Sequence, residues 1–343
     1  MAFGRERGDG FGMGLDWPAN DESFDPARIE VWRYALRPLD RLNARHQAES
    51  VIGALLRHGG GIGCLQPWPA LGDAPLDHHL AELRAGRPTT LVKRTLECAA
   101  VDGLARRDGR SLFDGLTIPP SHATLPPGSD APTIQAIIAS GFTTVKLKAG
   151  PDWKKFLPIW SNVCCHHPSV KIRLDFNGTL SPAEAGAALA GIARALGPAV
   201  DFVEDPCPFD RETWLGLEKS SGLRLAADRA CADPEAESFL GVLKPAVEDA
   251  ETAVARAAAT GRELVVTTNM DHPVGVLWAA YQAARAARAG VLHGPCGLLT
   301  HPLFEADKFS TKLSARDGVL GVPTGTGLGY DEWWAELPWH PLV

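Results

Sequence analysis

Several features of membrane, secreted and nucleotide-binding proteins are missing from the sequence. It contains no run of about 18 apolar residues, so we expect no membrane-spanning helix and no membrane partner. No apolar core follows the charged residues near the start, so residues 1–27 are expected to form a flexible tail, not a signal peptide. The glycine cluster at residues 58–63 matches neither a phosphate-binding loop nor a dinucleotide-binding motif.

Excess positive charge and paired cysteine motifs are also missing. The formal net charge is −7, so we expect no nucleic-acid partner. None of the seven cysteines is spaced C-x-x-C, which argues against a zinc site and favours reduced thiols in the cytoplasm over a secreted disulfide framework. The 343 residues are 45% hydrophobic, which is enough for one barrel and a smaller domain.

Two lysines stand inside an apolar strand pattern, TTVKLKAG, at residues 143–150. Because side chains alternate along a strand, Lys146 and Lys148 share one face. Two neighbouring cations in a sheet interior are costly unless anions or a metal compensate them. The pair alone fits either a solvated edge strand or a charged site.

Four more charged residues end short apolar runs further along the chain. They are Asp175, Glu204, Asp228 and Lys244, separated by 29, 24 and 16 residues. One strand-helix unit of an eight-unit barrel takes about 31 residues, and the last gap still fits a strand and a small helix. Charged groups at the carboxyl ends of successive parallel strands converge on the mouth of a barrel, where such folds keep their chemistry.

This ordered set resembles the enolase superfamily and, within it, the muconate-lactonizing subgroup, with the greatest similarity to the o-succinylbenzoate synthases. Three further segments are similar to the cap-domain loop and to the seventh-strand and eighth-strand motifs of the family: GIGCLQPWPALGD (61–73), TTNMDHPVG (267–275) and HGPCGLLTHPLF (293–304). The resemblance covers most of the chain. It implies an α/β fold, a (β/α)7β TIM-type barrel with an N-terminal α+β capping domain.

Strand and helix patterns set the expected domain limits. The cap is predicted over residues 28–115 and the barrel over 116–308, where apolar strands alternate with helical patterns. Residues 309–343 are predicted to fold back on the cap and barrel, with their tryptophans at 333, 334 and 339 used for packing and not for ligand binding.

The carboxylates predict a metal site. Asp175, Glu204 and Asp228 are hard oxygen ligands of the kind that Mg²⁺ prefers, and Mn²⁺ can substitute. The resemblance implies that Lys148 is the base that removes an α-proton, giving a metal-stabilised enediolate. It also implies that Lys146 lowers the pKa of Lys148 and touches the carboxylate of a small-molecule substrate. Lys244 is then a cation over the opposite face.

Four residues are predicted to bind the substrate. Asn177 and Arg173 share the face of Asp175 if the strand continues, and Thr268 and Asn269 follow the seventh barrel strand. Each has an alternative role. Asn177 suits a turn before Gly178, Arg173 suits an ion pair with a carboxylate lower in the barrel, and the other two suit loop hydrogen bonds.

Other charged residues near these motifs are expected to have structural roles. Asp205 and Asp210 are expected to be helix caps or surface ion pairs. Arg229 stands where the family often has an acidic residue, which affects the outer shell of the metal site. Four histidines are expected on loops near the mouth without metal-ligand spacing: His122, His272, His293 and His301.

The expected function is o-succinylbenzoate synthase, a lyase of menaquinone biosynthesis. The same lysines would also serve an N-acylamino acid racemase or a dipeptide epimerase. The epimerases tend to carry paired aspartates on the eighth strand, and residues 293–300 contain no aspartate. A non-catalytic ligand-binding barrel is the alternative from another class, and it leaves the six charged residues without a purpose.

Overall fold

The computed structural model describes residues 25–40, 42, 49–126, 128–228 and 230–343. Residues 1–24 of the predicted tail and Arg229 lie outside the described residues. In the described part of the chain, no helix combines the length and the apolarity needed to span a membrane.

An antiparallel sheet and two helices form the N-terminal cap. Its strands are β1 (Glu30–Leu36), β2 (Val51–His58) and β3 (Gly61–Leu65), and its helices are α1 (Leu76–Arg84) and α2 (Thr90–Arg107). Gly59 and Gly60 connect β2 to β3 with φ values of 60° and 81°, which glycine adopts without strain. The Thr89 side chain caps α2 by accepting from the backbone of Val92.

Eight parallel strands form the barrel, in the order of the chain around the ring. They are β4 (Ser121–Leu125), β5 (Thr144–Lys148), β6 (Lys171–Asp175), β7 (Val200–Glu204), β8 (Leu225–Ala227), β9 (Leu240–Leu243), β10 (Leu264–Val266) and β11 (Cys296–Leu299). β11 pairs with β4, and bridges at Thr267–Gly297 and Leu264–Leu292 connect β10 to β11. The ring of strands is therefore nearly closed.

Helices connect successive barrel strands on the outside. They are α3 (Ala131–Ala139), α4 (Leu157–His166), α5 (Pro182–Leu196), α6 (Arg211–Ser221), α7 (Ala250–Thr260) and α8 (Pro273–Arg288). In the described residues of the connection from β8 to β9, the one helical element is the short 3-10 helix Pro234–Ala236, which accounts for the 16-residue spacing between Asp228 and Lys244. The predicted (β/α)7β barrel with an N-terminal α+β cap is confirmed.

The C-terminal segment returns to the cap. It forms the hairpin β12 (Ser314–Arg316) and β13 (Val319–Gly321), and then β14 (His340–Pro341), which pairs with β1. Trp334 is buried against Phe309, so this tryptophan has the predicted packing role. The domain limits at residues 28, 116 and 309 stay predictions.

Candidate active site

The strands that carry the predicted charged residues end at the same mouth of the barrel. In the parallel ladder Lys148 lies beside Asp175, and Asp175 lies beside Glu204. Asp228 directly follows β8, and Lys244 directly follows β9. Because β5 and β9 are four strands apart in a ring of eight, Lys148 and Lys244 approach the barrel axis from opposite sides. The structure thus brings the predicted charged residues together.

Carboxylates of neighbouring strands hold the two lysines of β5. Lys146 Nζ lies 2.8 and 2.6 Å from the two carboxylate oxygens of Glu204 and 3.0 Å from Asp175 Oδ2. Lys148 Nζ donates to the same Asp175 oxygen at 2.5 Å. All four side chains are buried, so the ion pairs offset the cost of burying the two cations. The alternative of a solvated edge strand is excluded.

Lys244 makes a separate ion pair on the other side of the cavity. Its Nζ atom donates to Asp228 Oδ2. Burial lowers the pKa of Lys244, but the Asp228 and Glu204 carboxylates more than offset this effect, so the pKa is raised. Lys244 is therefore a stable cation in this arrangement.

Burial and charge shift the pKa values of the β5–β7 groups in different directions. Burial raises the pKa of Glu204, and the Asp175 charge raises it further, with a net upward shift despite Lys146. Burial also raises the pKa of Asp175, but Lys146 and Lys148 more than offset this, and the net shift is downward. Burial lowers the pKa of Lys146, but the two carboxylates reverse this effect. Glu204 is thus the carboxylate that an additional cation would stabilise most.

The chemistry of the carboxylates fits the predicted metal. Asp175, Glu204 and Asp228 provide hard oxygen atoms at the ends of three successive strands, which suits Mg²⁺. Among the residues that the structure describes, no three acidic, histidine or cysteine side chains already surround one point as metal ligands. The ammonium groups of Lys146 and Lys148 are the counterions of Asp175 and Glu204 instead.

A cavity of about 300 Å³ opens beside these groups, and the cap forms part of its wall. Trp68 and Asp73 come from the cap segment after β3. Trp68 Nε1 donates to the backbone oxygen of Asn269 at 2.6 Å, and Asn269 Nδ2 donates to the backbone oxygen of Gln66 at 3.1 Å. The two bonds join the cap segment to the loop after β10. The volume suits one small molecule.

Three of the four predicted substrate-binding residues line this cavity, namely Asn177, Thr268 and Asn269. Among the described residues, Asn177 Oδ1 is buried without a hydrogen-bond partner. Thr268 Oγ1 bonds to Thr300 Oγ1 at 2.6 Å, and the Asn269 amide is engaged by the cap segment. Asn177 is therefore the member of this group whose side-chain oxygen is left for a ligand.

Arg173 does not line the cavity. It is fully buried on the inner face of β6, and its Nε atom donates to Asp201 Oδ2 at 2.8 Å. Its Nη1 atom donates to the backbone oxygen of Pro295 at 2.6 Å and to His122 Nδ1 at 2.8 Å. This position does not allow the predicted contact with substrate. It matches the alternative role, an ion pair with a carboxylate lower in the barrel.

Comparison with known proteins agrees with this geometry. The chain is 32% identical over 327 residues to an o-succinylbenzoate synthase of Bdellovibrio bacteriovorus, and the match covers 92% of this chain and 98% of that protein. Residues 29–105 match the family model described as the N-terminal domain of o-succinylbenzoate synthase. Residues 131–332 match the model described as the enolase C-terminal domain-like family. The chain belongs to the o-succinylbenzoate synthase family. The predicted resemblance is confirmed.

Solved structures of the enolase superfamily share the fold. The L-Ala-D/L-Glu epimerase of Bacillus subtilis superposes with a TM-score of 0.69 at 19% identity, covering 88% of this chain and 97% of the other. A muconate lactonizing enzyme of Pseudomonas fluorescens superposes with a TM-score of 0.69 at 19% identity. The superposition covers 90% of this chain and 98% of the other. At this identity the likeness supports the fold alone, and the assignment to the o-succinylbenzoate synthase family comes from the sequence relative and the family models.

His122 and Glu248 also line the cavity, although neither is among the predicted site residues. His122 was assigned to a loop, but it lies in β4 and is buried. Alternation along SHATL places it on the same face as Thr124, a signal that the two prolines before the strand obscured. Glu248 also lines the cavity and accepts from the backbone nitrogen of Lys244 at 3.3 Å. Burial raises the pKa of Glu248 to about 7.

Two further predictions for single residues were wrong. Asp205 was assigned to a cap or a surface ion pair, but it is buried, and its Oδ1 atom accepts from the backbone nitrogen of Asp228 at 3.1 Å. It therefore helps to position a candidate metal ligand. His293 was placed near the mouth, but it precedes β11 and contacts Asp201 at the opposite end of the barrel. Asp210 caps α6, as predicted.

Proposed function

We propose that this chain is an o-succinylbenzoate synthase that uses Mg²⁺ to dehydrate 2-succinyl-6-hydroxy-2,4-cyclohexadiene-1-carboxylate to 2-succinylbenzoate. One observation carries the proposal. Lys148 and Lys244 face each other across a cavity, and the strands between them carry acidic residues. A base on one side and a fixed cation on the other suit the removal of a proton next to a carboxylate.

Lys148 acts as both base and acid in this proposal. Its neutral amine removes the proton from the ring carbon that bears the carboxylate. The resulting ammonium group returns this proton to the hydroxyl group on the adjacent carbon, and the C–O bond breaks. Water leaves, the ring becomes aromatic, and Lys148 is neutral again. Because the proton and the hydroxyl group leave from the same face, one lysine suffices.

Lys244 and Lys146 stabilise negative charge in this proposal. The ammonium group of Lys244 lies over the ring face opposite Lys148, where charge develops once the proton is lost. Its position on β9, opposite Lys148 on β5, supports this role. Lys146 contacts the substrate carboxylate from the strand position two residues before Lys148. Asn177, Thr268 and Asn269 make the remaining contacts with the substrate.

Asp175, Glu204 and Asp228 are the proposed ligands of Mg²⁺, for which Mn²⁺ can substitute. A divalent cation held there would supply positive charge to the substrate carboxylate, and it would take the place of the lysines as counterion of the protein carboxylates. Asp205 supports this set by holding the backbone of Asp228. We further propose a place in menaquinone biosynthesis. We also propose a cytoplasmic location, which the absence of C-x-x-C cysteine pairs supports.

The test is turnover of the proposed substrate by metal-stripped protein with and without added MgCl₂. We expect that the substrate is aromatised only when the metal is present. Ultraviolet absorbance measures the aromatic product. Deuterium exchange at the α-carbon of N-succinyl amino acids without aromatisation would favour a racemase instead. Inactivity in both assays would contradict the proposed lysine chemistry and favour the binding-barrel alternative.

A further inference from the structure

A polar wall of the cavity stands across the barrel axis from the carboxylates. We call His122, Thr267 and Gly297 the distal wall; they belong to β4, the end of β10, and β11. The carboxylates lie on β6 to β8, on the other half of the ring. A substrate whose reacting carboxylate faces the acidic residues therefore extends its far end toward the distal wall.

Arg173 determines which nitrogen of His122 carries the proton. Arg173 Nη1 lies 2.8 Å from His122 Nδ1, and a guanidinium group can only donate hydrogen bonds. Nδ1 must therefore accept, and the proton of the neutral ring must sit on Nε2. Burial lowers the pKa of His122 well below its ordinary value, and the cations of Arg173 and Lys146 lower it further. The ring is thus a neutral donor.

The distal wall leaves room beside this donor. A Cβ atom on Gly297 would lie 3.0 Å from both Cε1 and Nε2 of His122 and 2.7 Å from Thr267 Cγ2. Gly297 thus keeps the Nε2 edge of the ring clear of side chains. Among the described residues, Thr267 Oγ1 is buried without a hydrogen-bond partner, and both side chains line the cavity. The Nε2 edge of His122 and the methyl group of Thr267 therefore border the same gap.

The charge around the distal wall favours an anion. The positive charges of Arg173, Lys146 and Lys148 lower the pKa of His122, and the negative charge of Asp175 raises it. Asp201 pairs with the far side of Arg173, away from the cavity. The hydrogen bond from Arg173 also polarises the imidazole, which strengthens donation from Nε2.

We propose that His122 is a specificity residue whose Nε2–H group donates to the carboxylate at the end of the succinyl side chain, with Thr267 Oγ1 as a second donor. This inference rests on the proposed function. It assigns recognition of the second carboxylate to the wall between β10 and β4, and not to Asn269, whose amide is engaged by the cap segment.

The test compares two ligands in the Mg²⁺-loaded protein. 2-Succinylbenzoate carries the distal carboxylate, and 2-butyrylbenzoate has a methyl group in its place. We expect the wild type to bind the first more tightly, and His122→Phe to weaken its binding by about ten- to a hundredfold, the range for a hydrogen bond to a charged group. Binding of 2-butyrylbenzoate is expected to change less than threefold, which shows that the variant is folded. Calorimetry measures both dissociation constants without turnover.

Two further variants sharpen the test. His122→Gln keeps a donor near the Nε2 position and is expected to restore much of the preference for 2-succinylbenzoate. His166→Phe, at an exposed position at the end of α4, should leave both constants unchanged. Equal weakening of both ligands by His122→Phe, or no weakening, would overturn the inference while leaving the proposed function intact. Failure of the wild type to bind or form 2-succinylbenzoate would overturn both.

Discussion

At the scale of single residues, the behaviour of the buried charges depends on their immediate partners. Lys146 and Lys148 have carboxylate partners within 3.0 Å, which lie on the next strand, β6, and on β7 beyond it. Removing one partner would leave an uncompensated buried charge, which is far more costly than losing a surface ion pair. Variants of these residues should therefore be assayed for folding as well as activity.

Asp271 shows the same principle, since no cation of the described part of the chain forms an ion pair with it. It is buried in the loop between β10 and α8, and burial raises its pKa from 3.8 to about 7. Between these values the folded protein binds more protons at this residue than the unfolded chain does. The contribution of Asp271 to stability is therefore full below pH 3.8 and is lost as the pH rises through 7.

We therefore predict that Asp271→Asn is more stable than the wild type at pH 8 but not at pH 4. The pKa difference of about three units corresponds to at most about 4 kcal/mol. Urea unfolding at the two pH values measures the effect. Asp108→Asn, the same substitution at an exposed position, is the control. Equal stability differences at pH 4 and pH 8 for Asp271→Asn would contradict the assigned shift.

The charged residues of the site were predictable because each ends a short apolar run. The alternation of Lys146 and Lys148 indicated a shared face, and parallel strands bring their carboxyl ends together. Arg173 shows where such reasoning stops. Its partner Asp201 lies at the start of β7, and this contact depends on a register shift between β6 and β7 that no local pattern reveals.

At the scale of elements, close packing of α2 on β3 defines the cap. A Cβ atom on Gly61 would lie 2.0 Å from the backbone oxygen of Ala99, and one on Gly63 would lie 2.0 Å from that of Thr95. Backbone atoms of a helix cannot move aside cheaply. The two glycines therefore allow a separation that no other residue type permits.

Gly63→Ala is expected to destabilise the protein by about 3 kcal/mol because the added methyl group pushes α2 away from β3. The free energy of unfolding, measured by denaturant titration, tests this. Gly216→Ala is the matched control: it lies in α6, has open space around its Cβ position, and should be neutral or slightly stabilising. If both variants behaved alike, close packing would not be what requires glycine at position 63.

The elements themselves were largely predictable from sequence. Asp175 ends β6, as its apolar run predicts, and Ser181 and Pro182 mark the start of α5. The barrel is predicted from residue 116, but its first strand begins at Ser121, because proline at 119 and 120 cannot donate to a sheet. His122 therefore lies in a strand and not on the predicted loop.

At the scale of the whole molecule, the cap and the barrel share the site. Residues about 200 positions apart meet where Trp68 binds Asn269, and β14 joins the end of the chain to β1. Such contacts follow from the complete fold and from no sequence motif. The family resemblance therefore identified the cap segment, but it could not predict which barrel residues that segment contacts.

Metal binding should be visible as stabilisation of the whole protein. We predict that MgCl₂ at about 100 times its dissociation constant stabilises the fold by about 2.7 kcal/mol, since the metal binds the folded state. Thermal unfolding measures this shift, with choline chloride of equal ionic strength as the salt control. Asp228→Asn should lose most of the shift. An equal shift with choline chloride, or in this variant, would argue against the proposed ligands.

The most direct measurement is the turnover number of Lys148→Ala with saturating Mg²⁺ and 2-succinyl-6-hydroxy-2,4-cyclohexadiene-1-carboxylate. The exposed variant Lys219→Ala is the control, and calorimetric binding of 2-succinylbenzoate shows whether the site is intact. We predict a fall of at least about a thousandfold for Lys148→Ala, in the range for loss of a general acid–base group, and wild-type turnover for the control. Turnover of Lys148→Ala within tenfold of the wild type would contradict the assignment of Lys148 as the base.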